Sequence, residues 1–94
     1  MPFSVLVPAY NEVESLPPLC EEIGHVFTEH GYDAEVIIVD DGSTDGTRDI
    51  YPELCAKWPW LRVILLKRNF GQTSAMMAGI RAARGDVLIP MDAD

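Results

Sequence analysis

The sequence predicts an α/β domain: a Rossmann-like open parallel sheet with helices on both faces. Three observations support this prediction. Apolar runs of strand length alternate with segments of helical periodicity along the chain. The resulting βαβαβαβ order joins parallel strands by right-handed crossovers. Polar residues cluster where each predicted strand ends, which is the edge at which such sheets bind ligands.

The four predicted strands are short runs rich in β-branched and aliphatic residues. They cover residues 3–7, 35–39, 61–66 and 86–91. Their nearly continuous apolar character is typical of strands covered on both faces. If the strand order is 3-2-1-4, as in nucleotide-binding sheets of this kind, the first and fourth strands flank the switch point.

Three helices are predicted between these strands. Apolar or small residues recur at helical spacing in residues 16–27, 50–58 and 75–83. Ser15 is the expected N-cap of the first helix. Pro52 is expected to delay the start of the second helix or to kink it. Gly85 is the expected stop after the third.

Composition limits the protein to one small packed domain. The 94 residues are 48% hydrophobic and 23% charged, and the formal net charge is −8. That charge disfavours binding to nucleic acid and to anionic membranes. Cys20 and Cys55 lack metal-binding spacing, so two buried free thiols are expected. Without a spanning apolar run or a signal peptide, a cytoplasmic chain is expected.

The ends of the first two strands carry candidate nucleotide-binding residues. Pro8, Tyr10 and Glu12 follow the first strand, and the flat ring of Tyr10 could stack on a nucleobase. A core tyrosine is the alternative for Tyr10. Asp40 and Asp41 follow the second strand, and neighbouring carboxylates repel each other unless a cation or a hydrogen-bond donor is near. The glycines and hydroxyls that follow are equally typical of a turn.

The ends of the last two strands carry opposite charges. Asp92 and Asp94 flank Ala93, and hard oxygen ligands of this kind suit Mg²⁺ or Mn²⁺ on a diphosphate. An isolated pair of such acids is more often a turn cap. Lys67 and Arg68 lie where a diphosphate needs neutralising, although an exposed solubilising pair is an equal alternative.

Three motifs in order resemble one enzyme family. Residues 7–12 (Val-Pro-Ala-Tyr-Asn-Glu), residues 38–47 and residues 92–94 are similar to the N-terminal motifs of inverting family 2 glycosyltransferases, which have the GT-A fold. Residues 68–72, 78–79 and 85–86 most resemble the polyprenyl-phosphate sugar transferases, such as dolichol-phosphate mannose synthases.

The resemblance implies a role for each candidate at the nucleotide. Pro8, Tyr10 and Glu12 are expected to border the nucleotide, with Tyr10 against the base. Asp41 is expected to hold the base or its ribose, with Asp40 in a supporting position. No catalytic residue is identified.

The resemblance also implies a cofactor and substrates. Asp92 and Asp94 are expected to coordinate a divalent cation, Mg²⁺ or Mn²⁺, on the donor diphosphate, with Lys67 and Arg68 as further diphosphate partners. The family transfers a sugar from a UDP or GDP donor, here to a polyprenyl phosphate, with inversion. Such an enzyme is expected at the cytoplasmic face of a membrane.

Residues 1–94 correspond to the nucleotide-sugar-binding part of such an enzyme, so we expect a fragment truncated at the Asp92-Ala93-Asp94 motif. The last strand is then expected to expose an apolar edge that favours self-association. Two alternatives remain open. One is a non-catalytic nucleotide-sugar binding module. The other is a receiver-like phosphoacceptor domain, although receivers place their acid pair after the first strand and this chain places it after the second.

Overall fold

The computed structural model describes residues 2–93 as four strands and three helices. In chain order they are β1 (Phe3–Ala9), α1 (Leu16–His30), β2 (Ala34–Asp40), α2 (Thr47–Lys57), β3 (Leu61–Leu65), α3 (Gln72–Ala82) and β4 (Val87–Pro90). The strands form one parallel sheet in the order β3-β2-β1-β4. The predicted fold class is therefore confirmed, and the strand order is the one that nucleotide-binding sheets have.

The core lies in two layers, one on each face of the sheet. Alternate residues of a strand point to opposite faces. Val5 and Ile38 pack with α1 and α2 on one face, whereas Leu6 and Val39 pack with Ala75 of α3 on the other. The crossover direction therefore reverses between β1 and β4, and a crevice opens at that point.

The helix boundaries differ from the expected ones in two places. Ser15 occupies the N-cap position of α1, but within residues 2–93 its hydroxyl makes no capping hydrogen bond. Pro52 does not delay α2, which begins at Thr47. The Thr47 N–H donates to Asp45 Oδ1 at 2.9 Å, so the helix start is already stabilised ahead of the proline.

A buried acid at the amino end of the sheet ties three strands together. The Ser4 hydroxyl donates to Glu35 Oε2 and Arg62 donates to Oε1, both at 2.7 Å. The Arg84 backbone N–H also donates to Oε2 at 2.7 Å. Burial alone raises the pKa of Glu35, but these hydrogen bonds and the Arg62 charge hold it below the ordinary value of 4.5.

Gly85 lies too close to β1 for any side chain. A Cβ there would lie 2.5 Å from the carbonyl carbon of Phe3 and 2.7 Å from Ser4 Oγ. The Gly85 N–H donates to the same Oγ at 2.8 Å. Because α3 already ends at Ala82, the predicted stop role is wrong. Gly85 is needed for the close approach of the chain to the sheet.

Strand β4 exposes the apolar edge that was expected of the last strand. All four of its residues are exposed, including Val87 at 50% and Ile89 at 37%. The expectation that every strand is covered on both faces is therefore wrong for β4. Self-association through this edge stays a prediction.

The two cysteines lie in different surroundings. Cys20 is buried, and its burial raises the pKa of the thiol to about 11. Cys55 is exposed, so the expectation of two buried thiols is wrong for Cys55.

Among residues 2–93, no helix has both the length and the apolar character that crossing a membrane requires.

The Glu35 network predicts a specific dependence of stability on pH. Because the pKa of Glu35 is lowered in the folded state, its contribution is complete above about pH 4.5 and is lost as the pH falls through the folded-state value. We expect Glu35→Gln to lower the free energy of unfolding by about 2 kcal/mol at pH 7. The difference from wild type should narrow as the pH falls below 4.5 and through the folded-state pKa of Glu35.

Urea unfolding followed by circular dichroism at each pH measures this difference. Glu29→Gln, at an exposed position on α1, is the matched control and should leave the unfolding free energy nearly unchanged. A Glu35→Gln difference that does not narrow as the pH is lowered below 4.5 would contradict the assignment.

Candidate functional site

A pocket opens at the carboxyl ends of β1 and β4, where the strand order reverses. Its volume is about 300 Å³. Its wall contains Pro8, Ala9, Tyr10, Glu12, Asp41, Asn69, Gly71, Gln72, Ala75, Asp92 and Ala93. The structure therefore brings together the predicted residues from β1, Asp41 from the end of β2 and Asp92 from the end of β4.

The loop after β1 is fixed by the loop after β2. The Asn11 N–H donates to Ser43 Oγ at 2.9 Å, and the Thr44 N–H donates to Asn11 Oδ1 at 2.7 Å. Asn11 has a φ of 55°, a left-handed conformation that asparagine tolerates better than most residues. These two bonds hold Tyr10 at the rim of the pocket, where its side chain is 44% exposed.

Asp40 and Asp41 point in opposite directions because adjacent strand residues face opposite sides of the sheet. Asp40 lies on the α2 side and is fully buried. Its Oδ1 accepts from the Gly42 and Ser43 N–H groups at 3.1 and 2.9 Å. Asp40 thus supports the loop beneath the pocket and does not reach the pocket wall.

Two side chains of α2 complete the surroundings of Asp40. The Tyr51 hydroxyl donates to Oδ2 at 2.6 Å, and Arg48 Nε donates to Oδ1 at 3.1 Å. Burial alone raises the pKa of Asp40, but the hydrogen bonds that it accepts hold it below the ordinary value of 3.8. Burial, together with the Asp40 carboxylate, raises the pKa of Tyr51. At neutral pH the site therefore holds a carboxylate and a neutral phenol.

Asp41 holds the loop between β3 and α3 against the pocket. Its Oδ1 accepts from the Phe70 N–H at 2.8 Å, and its Oδ2 accepts from the Gly71 N–H at 2.9 Å. Gly42 lets this loop approach closely: a Cβ there would lie 2.5 Å from the Asn69 nitrogen. Asp41 is buried with 4% of its surface exposed, yet it still lines the pocket.

The loop and α3 supply wall residues that were not among the predicted site residues. Asn69, Gly71 and Gln72 line the pocket, and Ala75 closes its floor from the first turns of α3. The available signals were their position after a strand end and the small-residue face of α3. Neither feature of the sequence shows which of these side chains line a pocket.

Lys67 and Arg68 lie just before this wall segment and outside the wall itself. Both are exposed, and the Arg68 guanidinium lies 4.8 Å from the centre of the Phe70 ring. Their contact with a diphosphate stays a prediction.

The chemistry of Asp92 suits a divalent cation. Asp92 is exposed at the pocket, and Asp94 lies outside the described residues. Among residues 2–93, no three His, Cys, Asp or Glu side chains converge as in a metal cage built by protein alone. Mg²⁺ on a nucleotide usually takes one or two carboxylates, with phosphates and water as the other ligands. The donor set at Asp92 fits that arrangement.

The strand order and the pocket at the switch point define a Rossmann-like α/β domain of the nucleotide-binding class. The sequence identifies the member of this class: the chain belongs to glycosyl transferase family 2, whose model matches residues 4–94. The predicted family is confirmed. Membership in this family does not support the receiver-like alternative.

Two curated relatives narrow the comparison. Undecaprenyl-phosphate 4-deoxy-4-formamido-L-arabinose transferase of Pectobacterium carotovorum subsp. carotovorum is 47% identical over 93 residues, covering 97% of this chain and 28% of that protein. Dodecaprenyl-phosphate galacturonate synthase of Rhizobium johnstonii is 42% identical, covering 97% of this chain and 27% of that protein. The resemblance to polyprenyl-phosphate sugar transferases is confirmed, and the chain spans little more than a quarter of these relatives.

Solved structures share the fold. The S. aureus TarS 1-349 structure in complex with UDP-GlcNAc has a TM-score of 0.82 at 30% identity, covering 100% of this chain and 27% of that chain. The mannosyltransferase PcManGT from Pyrobaculum calidifontis, in complex with GDP-Man and Mn²⁺, has a TM-score of 0.74 at 30% identity, covering 98% of this chain and 27% of that chain. The predicted GT-A fold is confirmed.

The surroundings of Asp40 predict a coupled loss of stability. Asp40→Asn leaves buried donors facing an amide, so we expect the free energy of unfolding to fall by about 2 kcal/mol. Tyr51→Phe removes one hydrogen bond and should cost about 1 kcal/mol. The double variant should lose less than the sum of the two single losses, because the two groups bond to each other.

Chemical denaturation of the four proteins measures this coupling. Asp49→Asn, at an exposed acid on the same helix, is the control for a change of charge alone. Strict additivity of the two losses would contradict the role assigned to the Asp40–Tyr51 bond.

Proposed function

We propose that this chain binds a nucleoside-diphosphate sugar and forms the donor-binding part of a glycosyltransferase with a polyprenyl-phosphate acceptor. The observation that carries the proposal is the meeting of Tyr10, Asp41 and Asp92 in one pocket at the switch point. The names of the polyprenyl-phosphate relatives support the acceptor class. The bound UDP-GlcNAc and GDP-Man of the solved relatives support the donor class.

The nucleoside end of the donor is assigned to Tyr10 and Asp41. The half-exposed ring of Tyr10 offers a stacking surface at the rim, with Pro8 and Glu12 beside it. Each oxygen of Asp41 accepts one backbone hydrogen bond and keeps a further lone pair. A base N–H or a ribose hydroxyl can therefore bond to Asp41 without displacing the loop. The proposal covers both UDP and GDP.

The diphosphate end is assigned to Asp92, with Asp94 as a second proposed ligand. The Mn²⁺ in the PcManGT complex supports a divalent cation here. When bound, such a cation neutralises charge on the departing nucleoside diphosphate. Lys67 and Arg68 add positive charge just before the wall segment that begins at Asn69.

The transfer proposed for the full enzyme is a single displacement. An oxygen of the lipid phosphate attacks the anomeric carbon while the bond from that carbon to the diphosphate oxygen breaks, which inverts the configuration. The acceptor phosphate is already ionised at neutral pH, so it needs little help from a general base. Because the acceptor is a lipid, we place the enzyme at the cytoplasmic face of a membrane.

Nucleotide titration tests the donor site directly. We expect UDP or GDP to bind with higher affinity when Mn²⁺ is present, because Asp92 and the phosphates share the cation. Asp92→Asn should weaken the Mn²⁺-dependent binding at least about tenfold, and Asp41→Asn should weaken binding with or without the metal. Isothermal titration calorimetry of the purified chain measures both effects.

Asp86→Asn is the matched control, since Asp86 is an exposed acid at the opposite end of β4. This variant should bind like wild type. A folded wild-type chain that binds neither nucleotide, or an Asp92→Asn variant that keeps the full effect of Mn²⁺, would contradict the proposal.

A further inference from the structure

The charges of this acidic chain are segregated along the sequence. The 15 acidic residues all lie in residues 12–53 and 86–94. Residues 54–85 contain no acidic residue and carry six of the seven Lys and Arg residues. Although the net charge of the chain is −8, residues 54–85 form a basic segment that includes β3 and α3.

Four cations of this segment are free of acidic partners within the described chain. Lys57 pairs with Glu21, and Arg62 pairs with Glu35. The other four form no ion pair among residues 2–93; they are Lys67, Arg68, Arg81 and Arg84. Two of them lie before α3 and two lie at its end, so positive charge marks both ends of the helix.

Between these cations the outer side of α3 is apolar. Met77 and Ile80 are 44% and 41% exposed and lie three residues apart, on the side opposite the buried Ala75 and Gly79. Phe70, just before the helix, is 49% exposed beneath the Arg68 guanidinium. Large apolar side chains with cations around them are typical of helices that lie on anionic membranes.

We propose that this surface, which we call the α3 face, docks on an anionic lipid bilayer. It consists of Arg68, Phe70, Met77, Ile80, Arg81 and Arg84. The apolar side chains enter the headgroup region while the cations bind lipid phosphates. Charge complementarity selects this occupant, because four cations without acidic neighbours in their own segment attract an anionic surface.

The overall negative charge does not prevent this docking. The acids of α1 and α2 lie on the opposite face of the sheet, on the order of 20 Å from the outer side of α3. The Debye length at physiological ionic strength is about 8 Å, so those acids are largely screened from a surface that touches α3. The sequence-based expectation of repulsion from anionic membranes therefore does not apply to the α3 face.

The α3 face also lies next to the pocket. Gly71, Gln72 and Ala75 belong to the pocket wall, and Met77 follows on the outer side of the same helix. Docking through α3 therefore brings the pocket to the level of the lipid headgroups. The inference adds to the proposed function, since a lipid-phosphate acceptor lies at that level, but it does not depend on which nucleotide binds.

Vesicle flotation tests the α3 face with the 94-residue chain. The vesicles contain phosphatidylcholine alone or equal parts of phosphatidylcholine and phosphatidylglycerol. We expect wild type to bind the anionic vesicles at least about tenfold more strongly, with the binding reduced at high salt. A Met77→Ser plus Arg81→Glu variant should lose about tenfold in that binding.

A matched control carries the same kind of change on the other side of the sheet. Val26 is 44% exposed on α1, like Met77, and Lys57 is an exposed cation like Arg81. Val26→Ser plus Lys57→Glu should keep the binding of wild type. Equal losses in the two double variants, or no binding of the folded wild type to anionic vesicles, would overturn the inference. The second outcome would favour an acidic protein as the partner of this face.

Calorimetric titration of the same proteins with UDP and GDP separates this inference from the proposed function. Both double variants should bind nucleotide like wild type, because neither changes the pocket wall. Vesicle binding without nucleotide binding would leave the α3 face supported and the donor site contradicted. The reverse result would contradict the α3 face alone.

Discussion

The buried carboxylate of Asp40 is the interaction on which the pocket depends. It has no exposed surface and accepts hydrogen bonds from two backbone N–H groups, from Tyr51 and from Arg48. A charge buried in this way is stable only while its donors stay in place. The end of β2, the turn that follows it and the first turns of α2 are therefore held in one arrangement.

Asp41 depends on this arrangement because it is the next residue. With Asp40 fixed toward α2, Asp41 faces α3 and bonds the Phe70 and Gly71 N–H groups. The same carboxylate that shapes the pocket wall thus also faces the proposed ligand. Two adjacent acids, which repel each other in isolation, are both satisfied because each meets a different set of donors.

The two ends of the sheet divide stability and function between them. At the amino end, Glu35 accepts hydrogen bonds from Ser4, Arg62 and Arg84. These bonds tie β1, β2 and β3 to the segment that follows α3. At the carboxyl end, the polar groups of the pocket lie partly open to solvent. Helix α3 connects the two ends. Its inner side packs on the sheet, and the cations that have no ion pair within residues 2–93 lie before its start and at its end.

Sequence patterns alone were enough to predict the element order, the parallel sheet and the cluster of polar residues at one edge. These features follow from local periodicity and from the handedness of strand connections, which a single chain displays. The sequence also indicated the enzyme family through three ordered motifs. The start of α2 was misjudged because the hydrogen bond from the Thr47 N–H to Asp45 depends on loop geometry that propensity does not show.

The support that Asp40 gives to the loop and the place of Asp41 in the pocket wall could be seen only in the folded chain, because the hydrogen-bond donors of both residues are distant in the chain or lie in turns. The same holds for Gly85. A side chain at this position would collide with strand β1, which lies more than 80 residues away in the chain. Packing likewise decides which of the cations around α3 pair with an acid within residues 2–93. A pattern shows which residues are polar or apolar, whereas their partners are fixed by which elements meet in space.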